Sequence, residues 1–133
     1  MSAADVETLR WGYDAFRTEG VDAVLRFLDP EVEITPIREA PGSQTYRGHA
    51  GLRQYVDSLC DAFGEFGWDA GEMLDLGSDV LVETRFRGQG RVSGIPVEAT
   101  VYFLWSFRDG KVVRVNGYID RDAALAASRE SVA

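Results

Sequence analysis

The chain has 133 residues, 45% hydrophobic and 27% charged, with a formal net charge of −8. That length fits one domain spanning 1–133, with enough apolar material to build a core without covalent staples. The acidic balance and the lack of any Lys/Arg cluster exclude a nucleic-acid binder, which needs a basic stripe to displace counterions, and disfavour anionic membrane surfaces.

Cys60 is the only cysteine, so no intramolecular disulfide can form, and a reducing cytoplasm fits. It falls at an apolar helical position and reads as a buried, inert thiol. Met1-Ser-Ala-Ala-Asp-Val-Glu7 lacks the basic and apolar regions of a signal peptide, and no apolar run reaches the ~18 residues of a membrane span. One histidine and no Cys/His cluster argue against zinc. No glycine-rich phosphate loop is present, and Gly88-Gln89-Gly90 reads as a strand-end turn. No metal or cofactor is expected.

In chain order, Ser2 or Asp5 can cap a first helix, with Val6, Leu9, Arg10, Tyr13 and Phe16 on one face and Glu19-Gly20 at its end. Val21 to Leu28 reads as a second, short helix stopped by Asp29-Pro30. Val32 to Thr35 alternates as a short strand before Pro36. Ile37 to Gly48 is irregular, with Pro41-Gly42 as a turn and Gln44 to Tyr46 extended. Leu52, Tyr55, Val56, Leu59, Cys60 and Phe63 then mark an amphipathic third helix beginning near His49. Trp68 to Leu76 and Val80 to Arg87 are strands joined at Gly77-Ser78-Asp79.

The last third is the most informative. Pro96 to Phe107 and Val112 to Ile119 are β-branched and aromatic runs joined by Arg108-Asp109-Gly110-Lys111. Asp-Gly between two such runs is a strong hairpin signal, because glycine supplies the positive φ of the turn. Val101, Phe103, Trp105 and Phe107 share one parity; Tyr102 and Leu104 share the other. Large apolar groups on both faces imply a pocket wall on one side and, on the other, a second copy of the chain. A homodimer through the outer sheet face is therefore expected. Asp120 precedes a short helix starting near Ala123 as its cap. Helices first, then consecutive antiparallel strands, make an α+β fold with the helices gathered on one sheet face.

These segments together resemble a known superfamily. Tyr13-Asp-Ala-Phe-Arg-Thr-Glu-Gly20, Phe27-Leu-Asp-Pro-Glu-Val-Glu-Ile-Thr-Pro36 and Tyr46-Arg-Gly-His-Ala-Gly-Leu52 are joined by Gly90-Arg-Val-Ser-Gly94, Phe107-Arg-Asp-Gly-Lys-Val-Val-Arg114 and Tyr118-Ile-Asp-Arg-Asp-Ala-Ala-Leu125. The chain resembles the nuclear-transport-factor-2-like fold, in its SnoaL-like and ketosteroid-isomerase-like branch. The resemblance implies a cone: a curved antiparallel sheet wrapped round N-terminal helices, with an interior apolar pocket. It also implies either a cofactor-independent acid–base enzyme (isomerase, cyclase, dehydratase or epoxide-hydrolase type) acting on a small apolar organic substrate, or a non-catalytic ligand-binding or association module.

Tyr13 matches the oxyanion-binding tyrosine of ketosteroid isomerases in its spacing to Gly20, and reads equally as an amphipathic core residue. Those enzymes carry a base Asp where this chain has Thr35 and a second acid near Phe103. Steroid-type isomerisation is therefore not expected. Glu33, on the Thr35 side of its strand, is a candidate replacement. Glu83 and Arg85 share one strand face and form either an inward proton relay or a solvated pair, the latter requiring no buried charge. Asn116, near the end of the last strand, can orient a ligand carbonyl but cannot transfer a proton. His49 is a candidate base or a capping residue. Trp68, Tyr102, Trp105, Tyr118 and Tyr46 complete the candidate ligand wall.

Overall fold

A computed structural model describes residues 2–40 and 42–132. Pro41, read as part of a turn, and the Ser2 side chain, a candidate cap, lie outside the described part. The order is α1 (Ser2–Glu19), α2 (Val21–Leu25), β1 (Leu28–Thr35), β2 (Tyr46–Arg47), α3 (Gly48–Ala62), β3 (Phe63–Asp75), β4 (Asp79–Gly90), β5 (Pro96–Arg108), β6 (Lys111–Tyr118) and α4 (Arg121–Val132).

The six strands form one sheet in the order β2-β1-β6-β5-β4-β3. α3 touches β1 and β2 at one edge and β3 at the other, so the sheet curls round it without closing. This is the expected α+β curved sheet, with one refinement: β1 runs parallel to β6, so the sheet is mixed. Strand pairs β3/β4, β4/β5 and β5/β6 are antiparallel as expected.

Several boundaries differ from the sequence reading for local reasons. α2 ends at Leu25, and Leu28 already lies in β1, with Pro30 inside the strand. The register between β1 and β6 shifts between Leu28 and Glu33, so Pro30 falls where the ladder is irregular and its missing N–H is tolerated. Phe63 belongs to β3, not α3: its backbone is extended at φ −126, ψ 135, while its N–H still closes the helix on the Leu59 carbonyl. β3 consequently begins five residues before Trp68, through Gly64 and Gly67, which hid its strand pattern.

The hairpin reading holds. Asp109 (φ 54) and Gly110 (φ 79) both adopt the left-handed conformation that a two-residue hairpin turn demands. At the other end, Gly90 N–H donates to the Ile95 carbonyl across the β4–β5 turn, and Arg91 N–H caps α3 at Ala62.

The two sheet faces have different covers. Val80, Val82, Val101, Phe103, Phe107, Val112 and Val115 form the main core with Leu9, Phe27 and Ile34, under α1–α3. Leu81, Leu104 and Tyr118 pack instead with Ala124 of α4 on the outer face. The apolar groups at both parities of β5 are thus accommodated within one chain. Among the described residues, no helix is long and apolar enough to cross a membrane.

Candidate functional site

The helix-covered face does not close completely. A cavity of about 100 Å³ lies between α1, α3 and the sheet. α1 contributes Leu9, Tyr13 and Phe16, spaced one helical turn apart; α3 contributes Leu52, Tyr55 and Val56. Trp68 of β3, Phe103 and Trp105 of β5, and Val115 of β6 complete the aromatic wall. Phe103 and Trp105 are two apart on one strand and so face the same way. Tyr13 meets Trp105 edge-on at 5.9 Å, and Tyr55 stacks towards Trp68 at 6.3 Å.

The polar chemistry of this wall is sparse. Tyr13 Oη lies 2.7 Å from Thr84 Oγ1, and Thr84 donates its own hydroxyl proton to the Val82 carbonyl at 3.3 Å. Tyr13 is therefore the donor to Thr84. Burial pushes the Tyr13 phenol well above its ordinary range, against smaller opposing contributions from Thr84 and Trp105. The Trp105 indole N–H lies beside that phenol, yet does not meet it in hydrogen-bonding geometry. It is the one buried side-chain polar atom without a partner among the described residues. Tyr55 is pushed up to about 12, mainly by burial and secondarily by Tyr46. Among the described residues, the lining includes no carboxylate, histidine, lysine or arginine.

Of the residues singled out from sequence, the structure brings Tyr13, Trp68 and Trp105 together at this cavity. The others stand elsewhere. Glu33 pairs with Arg47 across β1 and β2 at the surface. Glu83 and Arg85 are exposed on the outer face, where Arg85 reaches towards Glu98 at 3.9 Å and Glu83 lies against Gly71. Tyr102 pairs with Tyr118 in register, and both pack in the α4 cluster. Asn116 shares their strand parity, in register with Leu104 and Thr35. Tyr46 packs on Tyr55 behind the cavity wall at 5.2 Å. His49 Nε2 lies 2.9 Å from the Leu28 carbonyl, tying the start of α3 to β1. Thr35 is buried against the Thr45 hydroxyl at 2.7 Å.

Phe16 and Tyr55 join the site beyond the candidates that the sequence offers. Their signal was present in the helical stripes of α1 and α3, but a core stripe and a cavity stripe have the same period.

A family model described as the SnoaL-like domain matches residues 10–115. The chain belongs to the SnoaL-like family. Solved structures share its fold. TerC, co-crystallized with polyporic acid, is 22% identical with a TM-score of 0.77, over 95% of this chain and 98% of that one. A Jannaschia sp. CCS1 protein, named by likeness to SnoaL-like polyketide cyclases, is 20% identical with a TM-score of 0.75, over 95% and 92%. A Catenulispora acidiphila protein with a ketosteroid-isomerase-like fold, solved with trimethylamine, is 13% identical with a TM-score of 0.73, over 92% of each chain. Among curated proteins, none matches the chain significantly.

Proposed function

We propose that this SnoaL-like protein binds a small, uncharged, apolar and preferably flat organic molecule in its interior cavity, as a ligand-binding module. The carrying observation is the wall itself: aromatic and aliphatic, its only ionisable groups among the described residues being two phenols that burial keeps protonated. An ionised ligand would be desolvated there with no counter-charge, which costs several kcal/mol in effective terms. A neutral aromatic molecule meets ring edges and faces instead. Two structural relatives were solved with small molecules, polyporic acid and trimethylamine, which supports a small-molecule site; as both are ionisable, the neutrality proposed for this chain's ligand rests on its own wall.

Cofactor-independent turnover in the same cavity would run on the Trp105 indole N–H, and on the Tyr13 hydroxyl once turned from Thr84 to the ligand, without a side-chain base at the wall. Glu33, Glu83, Arg85 and Asn116 would act only on a molecule bound outside it. A second copy of the chain would meet the part of the outer face that α4 leaves open, where Asp69, Glu83, Arg85, Arg87 and Glu98 alternate in sign; a monomeric mass by light scattering at micromolar concentration rules this out.

Calorimetric titration with naphthalene and with its carboxylate, 2-naphthoate, tests the binding reading. Saturable, one-to-one binding of naphthalene and much weaker binding of the anion are expected. Preference for the anion overturns the proposal.

A further inference from the structure

The cavity and the surface are separated at one place by a pair of rings. Phe16 and Trp68 line the interior cavity and also line an open cleft at the far end of the sheet, together with Arg17, residues 64–67 and the β4–β5 turn. Their ring centroids are 5.2 Å apart and the planes are tilted by 53°. Both side chains are only half-buried, so the partition is one side chain thick with solvent on its outer side.

The cleft has a second peculiarity. Gly64 and Gly67 line it without the left-handed backbone that favours glycine. A Cβ built at either position would meet nothing within 4 Å. Neither backbone conformation nor packing within the chain calls for glycine here, although glycine in a strand is destabilising. Glycine in a strand often marks a place where another group approaches the backbone closely. Beside them, the register of β3 against β4 shifts by one residue between Phe63 and Phe66, which bends the edge strand just before Trp68.

We propose that Phe16 and Trp68 form the portal of the cavity: a ligand collects in the glycine-lined cleft and passes between the two rings, which swing aside on their side-chain torsions. The portal rests on the binding reading above and makes this pair specificity-determining through rate. A gap opened by two rings admits flat molecules faster than bulky ones of equal apolarity. A ring that merely lines the bound ligand affects mainly its escape; a ring that also blocks the route limits entry, so that removing it speeds association as well.

Stopped-flow tryptophan fluorescence with naphthalene separates these roles. Phe16→Ala is expected to raise the association rate by about fivefold or more; dissociation rises as well, and further, because the variant also removes a lining ring. Phe16→Leu, which retains apolar bulk, should show the same pattern at smaller amplitude. Leu52→Ala, at a lining residue that does not border the cleft, should change dissociation alone. If Phe16→Ala and Phe16→Leu change only dissociation, as Leu52→Ala does, the portal is overturned and the binding site stands. If naphthalene fails to saturate the unaltered protein, the binding reading fails and takes the portal with it.

Discussion

The Tyr13 hydroxyl gives its proton to Thr84, 2.7 Å away, because Thr84 has already given its own to the Val82 carbonyl. The chain of donors runs away from the cavity and into the backbone of β4. The phenol lines the cavity but has its proton engaged elsewhere. The bond ties α1 to the sheet, and the Tyr13 ring lines the cavity.

Substitutions at the two ends of that bond should differ in cost. Tyr13→Phe removes one donor and leaves Thr84 still bonded to Val82, a loss of about 1 kcal/mol. Thr84→Val keeps the volume but strands a buried phenol, and should cost more, about 1–3 kcal/mol. Urea unfolding of the two variants checks the order. Naphthalene affinity in Tyr13→Phe should stay within about threefold of the original, since the apolar contacts that carry binding remain. A large loss of affinity in Tyr13→Phe would show that the hydroxyl contacts the ligand.

Filling the cavity should abolish binding without unfolding the chain. Val115 is buried and lines the cavity from β6, opposite the helices. Val115→Phe places a ring in the free volume, and its overpacking penalty of about 1–3 kcal/mol is reduced by the space available. Calorimetry should lose the naphthalene signal while the melting transition remains cooperative. Phe103→Ala acts in the opposite sense, enlarging the cavity at a cost of about 3–5 kcal/mol.

The neutrality of the wall has a signature in pH. Tyr13 and Tyr55 both have folded-state pKa values raised above their ordinary value of 10.0, chiefly by burial. The native state therefore holds these protons more tightly than the unfolded chain does. The resulting stability is fully present below the unfolded pKa and is lost as pH rises through the folded values. Ultraviolet titration of tyrosinate should show Tyr55 ionising near 12, and denaturant midpoints should begin to fall only above pH 10. In Tyr55→Phe that alkaline fall should be shallower. An ordinary titration of Tyr55 near 10 would mean that water reaches the wall freely.

Much of this arrangement was legible in the sequence, and the failures share a cause. The Asp109-Gly110 turn, the stripes of α1 and α3 and the alternation of β5 are local patterns, and they correspond to local geometry. Period-2 alternation sorts Phe103 and Trp105 from Tyr102 and Leu104, but does not say which set faces the helices. Only the placement of α4 on the Leu81–Leu104–Tyr118 side decides that, and with it the fate of Glu83 and Arg85. The parallel pairing of β1 with β6 joins segments about eighty residues apart and leaves no mark in either strand. Pro30 reads as a breaker by rule, whereas an irregular ladder lets β1 carry it.

Gly117 is the position where this long-range arrangement is least forgiving. A Cβ built there would stand 1.7 Å from the Pro36 carbonyl oxygen and 3.0 Å from the Phe103 ring. The obstacle is backbone, so no rotamer change can relieve it. The approach is close because the chain leaving β1 lies directly across the end of β6: Arg38 N–H donates to the Gly117 carbonyl at 2.8 Å. One residue further on, Glu39 accepts the N–H groups of Ile119 and Asp120. Burial alone would raise the Glu39 carboxyl, but those backbone donors lower it overall. Gly117→Ala must push Pro36 away and break this set of bonds together. We expect a loss of about 4 kcal/mol or more, in the range reserved for steric or network failure. Chemical denaturation measures it, with Glu39→Gln as the milder comparison that removes the charge but keeps the steric fit. A Gly117→Ala protein within about 1 kcal/mol of the original, an ordinary surface effect, would show that the Pro36 segment does not press on β6 in solution.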